Sequence, residues 1–269
     1  MRYFFHIGYN GSQYSGWQRF PDIVSLQQVL ETTLARVLKT PIAIFGCGRT
    51  DAGVHASQFF FHVDLDVTWD YDLLFRLNKT LPDDIAIFDI IPMEADAHAR
   101  FHATARAYDY FIHTYKDPFL SGVSSLYISR DLDLSSMQAA LSLLPKYTDY
   151  RAFCKAPDKS RTTRCSITKA QLYASANGDR LRIHISANRF LSKMIRLVTG
   201  KLLLIGRREL SVDAFEQYLI TPEPPERANL AYPHGLFLSK VTYPFLDLPC
   251  RPEFSSPAHA NASWLPVQP

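Results

Sequence analysis

Within 46-GCGRTDAGVHAS-57, Arg49 and Asp51 stand two residues apart in a glycine-rich turn, with Gly46, Gly48 and Gly53 around them and His55 close behind. A carboxylate beside a cation stays ionised, which suits a nucleophile or a charge stabiliser better than a general acid. The competing role for Asp51 is a plain Asx-turn residue. Glycines that admit close approach, and a position at a strand end where functional loops concentrate, favour chemistry. His55 fits a structural, hydrogen-bonded histidine better than a general base. The glycines match neither a Walker loop nor a dinucleotide fingerprint.

Three other clusters carry reactive or recognition-competent side chains. In 9-YNGSQYSGWQR-19, Tyr9, Tyr14 and Trp17 precede Arg19. They are either core aromatics under a loop or a stacking surface with a phosphate contact. In 106-RAYDY-110, Tyr108 and Tyr110 share one face of a strand by its period of two. Arg196 lies among Phe190, Leu191, Met194, Ile195 and Leu197, and an arginine in such apolar company calls for an anionic partner.

The elements that must position these residues follow from periodicity. RYFFHIGY (2–9) reads as a strand, and Asn10-Gly11 as a turn. SLQQVLETTLARVLK has helical spacing with a Ser25/Gln28 capping-box pair. IAIF (42–45) and QFFFHVDL (58–65) are strands flanking the turn, residues 70–79 a short helix, and 85–93 a strand. Strand, helix, hairpin and helix recur at 105–115, 134–144, 166–188 and 189–207. A further helix at 212–220 and a last strand at 234–243 follow. The order predicts an α+β fold of two tandem ferredoxin-like or RRM-like βαββαβ halves with mainly antiparallel sheets. The expected domains are 1–103 and 104–245, followed by a loose Pro/Ser-rich tail over 246–269.

With 269 residues, 47% of them hydrophobic, the chain can bury a sizeable core. No apolar run approaches the roughly 20 residues of a membrane span, and the N-terminus lacks a signal-peptide pattern. A cytoplasmic protein without membrane contact is expected. Cys47, Cys154, Cys165 and Cys250 show no metal-site pairing, and the histidines no metal spacing. The net charge of +3 hides an asymmetry: residues 146–208 hold fifteen Lys/Arg against three Asp/Glu, a local +12, leaving −9 for the rest. Such a block interleaved with aromatics points to a polyanion partner, nucleic acid first.

Taken together and in order, YNGSxYxGWQR, GRTDAGVHA, HARFHATARAYDYFI, NRFLSKMIR and HGLFLSKV resemble the tRNA pseudouridine synthase family TruA, from Tyr3 to about Pro244. The resemblance implies an isomerase that converts uridine to pseudouridine at positions 38, 39 and 40 in the anticodon stem-loop of tRNA. It implies a homodimer and no cofactor or metal. It assigns the catalytic nucleophile to Asp51, base stacking to Tyr108, pairing with the catalytic carboxylate to Arg196, base flipping to Arg49, and an apolar pocket position to Leu236. The resemblance leaves open whether Asp51 attacks ribose C1′ or pyrimidine C6. Two other classes compete: an RNA-binding protein without catalysis, and a phosphate-ester hydrolase using Asp51 and His55. The hydrolase would need a ligand cluster that the sequence lacks.

Overall fold

The structure, a computed structural model, describes residues 1–129, 131–221, 223, 229–249 and 264–269. From the N-terminus the elements are β1 (Arg2–Tyr9), α1 (Leu26–Leu38), β2 (Phe45–Gly46), β3 (His55–Asp64), α2 (Leu73–Thr80) and β4 (Ile85–Met93). There follow β5 (Ala105–His113), β6 (Ser125–Leu126), α3 (Leu134–Leu143), β7 (Ile167–Ala174), β8 (Arg180–Ala187), α4 (Met194–Gly206), α5 (Val212–Ile220), β9 (Leu236–Thr242) and β10 (Leu265–Pro266). The class is α+β, with strands that pair mostly antiparallel. No helix among the described residues is long and apolar enough to cross a membrane.

The chain divides into two compact units, Met1–Thr104 with Phe237–Glu253, and Ala105–Leu236 with Phe254–Pro269. In the first, β1 pairs antiparallel with β3 on one side and β4 on the other. β9 runs parallel to the start of β3, joining His55 to Phe237 and Ala56 to Leu238, and β2 pairs near the end of β3. α1 buries Leu26, Leu30, Leu34 and Leu38, the i, i+4 stripe of an amphipathic helix. The sheet core is aromatic: Phe5 stacks on Phe61 at 4.8 Å, and Trp17 on Phe59 at 4.1 Å.

In the second unit β8 pairs antiparallel with both β5 and β7, and β10 adds to the outer edge of β7. β8 alternates strictly: Leu181, Ile183, Ile185 and Ala187 are buried, and Arg180, Arg182, His184 and Ser186 half-buried. That is the period of a strand with one apolar face. The hairpin turns at Asn177-Gly178, where Gly178 adopts φ 72°.

Three segments differ from what periodicity predicts. Of the IAIF strand, only Phe45 enters the sheet. The backbone of Ile44 is satisfied by side chains of α1 instead: Glu31 accepts its N–H at 3.2 Å, and Gln27 donates to its carbonyl at 3.3 Å. The helix expected from Arg189 starts at Met194, because Ser192 gives its carbonyl to the Lys155 N–H and Lys193 turns left-handed at φ 59°. Where composition predicts a loose tail, Leu265 and Pro266 pair with Ala174 and Tyr173. The remainder of that stretch, residues 250–263, lies outside the described residues.

Candidate active site

The turn carrying Asp51 is fixed from below. Thr50 is buried between exposed Arg49 and half-buried Asp51. Its hydroxyl lies 2.9 Å from the Tyr9 hydroxyl, and its carbonyl accepts from the Trp17 N–H at 3.1 Å. The Asp51 carbonyl accepts from Val54 N–H, and Gly53, at φ 72°, donates to the Tyr14 carbonyl. A Cβ on Gly16 would stand 2.5 Å from the Thr50 carbonyl oxygen, and one on Gly46 2.6 Å from the Trp17 ring. These glycines therefore let the 9–19 loop and the 46–54 turn interlock. Tyr9, Tyr14 and Trp17 are all buried, so this motif forms the floor of the turn rather than an exposed stacking surface. Arg19 spends its charge on Glu31 at 3.0 Å.

His55 is fully buried, accepts the Gly11 N–H on Nδ1 at 3.0 Å and stacks on Phe237 at 4.3 Å. It is a structural histidine that ties the start of β3 to the loop after β1. Tyr14 donates to Asp84 at 2.6 Å, and burial followed by that carboxylate holds its hydroxyl far above the ordinary tyrosine range.

Tyr108, Arg196 and Leu236 belong to the second unit. Tyr108, half-buried on β5, meets the Phe190 ring edge-on at 5.0 Å. Its same-face neighbour Tyr110 is fully buried, donates to the Tyr232 carbonyl at 2.7 Å and lies within hydrogen-bond distance of the Ser125 hydroxyl at 2.9 Å. The two tyrosines of RAYDY thus separate into a packed, hydrogen-bonded one and a more accessible one. Arg196 projects from the first turn of α4, where its Nε donates to the Ala231 carbonyl at 2.7 Å. Ala231 N–H returns a bond to the Arg196 carbonyl. Leu236 is buried and opens β9 directly after a 3₁₀ turn at Pro233–Gly235. That turn is held close to β5: a Cβ on Gly235 would stand 2.4 Å from the Phe111 carbonyl oxygen.

Two features of these surroundings escape sequence reasoning. Phe190, the ring against Tyr108, sits in the RFL triplet, where it reads as one apolar residue among several. Asp109, between the two tyrosines, is 2% exposed and is held by Arg182 Nε at 2.7 Å and His184 Nδ1 at 3.0 Å. Burial pushes its carboxyl up, but the His184 hydrogen bond and the Arg182 charge outweigh that and leave it below the usual carboxylate range. The available signal was the polar alternation of DRLRIHIS, which puts Arg182 and His184 on one face of β8. Among the described residues, no group of three His, Cys, Asp or Glu side chains is arranged to hold a metal ion.

A family model described as tRNA pseudouridine synthase matches residues 147–244. A tRNA pseudouridine synthase A of Porphyromonas gingivalis is 39% identical over 246 residues, covering 90% of this chain and 97% of that protein. One from Parabacteroides distasonis is 39% identical over 249 residues, 90% and 96% of the two chains. One from Aeromonas hydrophila is 38% identical over 275 residues, covering 99% of this chain and 97% of its own. With identity of this order sustained over nine-tenths or more of its length, the chain belongs to the tRNA pseudouridine synthase A (TruA) family of isomerases.

Proposed function

We propose that this protein isomerises uridine at positions 38, 39 and 40 in the anticodon stem-loop of tRNA, with Asp51 as the nucleophile and with the target base flipped out of its stack. The observation that carries this is the Asp51 turn itself. It presents a half-buried carboxylate next to an exposed arginine, on a backbone anchored through Thr50, Gly53 and Val54. Such anchoring supports catalysis, because a positioned nucleophile avoids the entropic cost of finding its geometry during reaction.

The chemistry follows from the product. The glycosidic bond at N1 breaks, the base turns, and a carbon–carbon bond forms at C5. The C5 proton leaves and N1 gains one, so the transformation is balanced without a co-substrate or cofactor. Asp51 attacks ribose C1′ or pyrimidine C6. Extruding the base costs a few kcal/mol. Tyr108 offsets part of this by stacking, worth about 1–3 kcal/mol. Arg49 assists extrusion, Arg196 pairs with the catalytic carboxylate, and Leu236 supplies apolar wall to the base pocket. The basic window 146–208 supplies phosphate contacts. The same proposal includes two tandem ferredoxin-like halves, which the β1-α1-β2-β3-α2-β4 order of the first unit supports, and a cytoplasmic homodimer.

Tritium release from tRNA transcripts labelled at uridine C5 tests the proposal. The intact protein is expected to release tritium and Asp51→Ala to release none, while both bind tRNA and melt alike. A well-folded Asp51→Ala protein with undiminished release would remove Asp51 from the mechanism. Binding by the intact protein without release would favour the non-catalytic alternative.

A further inference from the structure

The first unit carries a concentrated basic feature outside the basic window at 146–208. At the C-terminal ends of α1 and α2 a cavity of about 510 Å³ is lined by Arg36, Val37, Lys39, Arg76, Lys79 and Thr80. Four of these six residues are cations, and all four are exposed. None of the four forms an ion pair with another described residue, and no carboxylate lines the cavity. A neighbouring hollow of about 330 Å³ shares Arg76, Lys79 and Thr80 and adds Tyr71, Asp72 and Phe75. Asp72 is its one acid, and it is engaged as the N-cap of α2, accepting from Phe75 N–H at 2.9 Å.

Helix electrostatics account for part of this cluster. Arg36 and Lys79 stand in the last turns of their helices, where cations complement the negative end of the dipole. Arg36 also donates to the Thr80 carbonyl at 3.3 Å, tying one helix end to the other. The dipole covers Lys39, the C-cap of α1, as well, and neither reason covers Arg76. Lys39 occupies a left-handed C-cap at φ 58°, a position glycine fills with less strain. Arg76 lies in mid-helix with its guanidinium 3.6 Å from the centre of the Tyr71 ring. Lys79 lies 5.3 Å from the ring centre of Phe75, which is 60% exposed. Four like charges around one hollow repel each other, and an anion in the hollow relieves that repulsion.

We propose that this surface is a second RNA-binding site, which takes the phosphate backbone of the tRNA substrate away from the target uridine. Two adjoining hollows joined by shared cations make a track longer than a single phosphate, and the exposed Phe75 alongside suits a base or ribose. The surface stands out because residues outside 146–208 sum to −9. The inference rests on tRNA being the substrate.

The test compares the intact chain with Lys39→Gln/Lys79→Gln, leaving Arg36 and its bond to Thr80 in place. Fluorescence anisotropy with a labelled full-length tRNA transcript is expected to show binding weakened about tenfold at 0.1 M salt. The slope of log affinity against log salt should fall by about two, near one per lost phosphate contact. The two proteins should share one melting temperature. Unchanged affinity and slope in the folded variant would overturn the site. So would loss of inorganic pyrophosphate binding with tRNA affinity intact, which marks a small-anion pocket. Tritium release run alongside separates the two proposals: absence of release by the intact protein counts against the isomerase reading, and leaves the binding comparison to decide the surface.

Discussion

Thr50 is the residue that fixes the turn between Arg49 and Asp51. Its side chain and carbonyl are both taken by the β1 end and the 9–19 loop, so its two neighbours are displayed from a fixed point. Gly16 is part of that fixing, with φ 91° and no room for a Cβ beside the Thr50 carbonyl. Gly16→Ala is expected to cost about 1–3 kcal/mol of stability and, through a displaced turn, on the order of 100-fold in kcat. Steady-state tritium release and thermal melting check both numbers. A second residue-scale prediction concerns His62. It is 3% exposed, accepts the Ala99 N–H on Nδ1, and lies in a ring series running Phe45, His62, His98, Phe101 at 5.1, 4.4 and 4.2 Å. Burial first, then the neighbouring His98 and Arg2, lower its pKa from 6.5 to about 4. The unfolded chain therefore takes up a proton that the folded chain refuses, so His62 makes stability fall as pH drops from 6.5 toward about 4. Melting curves across that window should show a smaller loss for His62→Asn, whose amide oxygen can replace Nδ1 as acceptor. At this scale the turn that holds Arg49 and Asp51 was legible from its glycines and the apolar run after it. Thr50 was not, because a threonine inside a turn gives no sign of which distant backbone it will hold.

Elements were legible where one periodicity dominated. β1, β4 and α5 fall where the sequence reading put them, and Ser25 caps α1 by accepting the Gln28 N–H. They were illegible where a side chain from another element competed for backbone bonds. Ile44 is the clear instance. Its apolar neighbours read as strand, yet Glu31, 7% exposed, takes its N–H while also bonding Gln27 and Arg19. Glu31→Ala should leave a buried N–H unpaired and cost about 1–3 kcal/mol, measurable by urea unfolding. A larger share of the loss should appear as activity, since the segment leads directly into β2 and the Asp51 turn. The start of α4 failed for a related reason: the bond from the Lys155 backbone N–H to the Ser192 carbonyl depends on a contact made across the fold.

For the whole molecule, the summed charge was legible, and its placement only in part. The +12 of residues 146–208 predicts tRNA affinity that falls steeply with salt, by roughly 10³-fold between 50 and 200 mM if six phosphates are contacted. A flat response in anisotropy titrations would mean that the block is a solvated face. Arg36, Lys39, Arg76 and Lys79 were invisible as a group, because two helices bring together residues some forty positions apart. The described C-terminal residues offer an optical handle. Trp264 lies 6.0 Å from the Phe111 ring and beneath the Arg180 guanidinium at 5.8 Å. Its emission, isolated as the difference between the intact chain and Trp264→Phe, reports whether the last strand is seated on β7. A red shift of that difference on mild heating, ahead of the main transition, would give the detachment temperature of this segment alone.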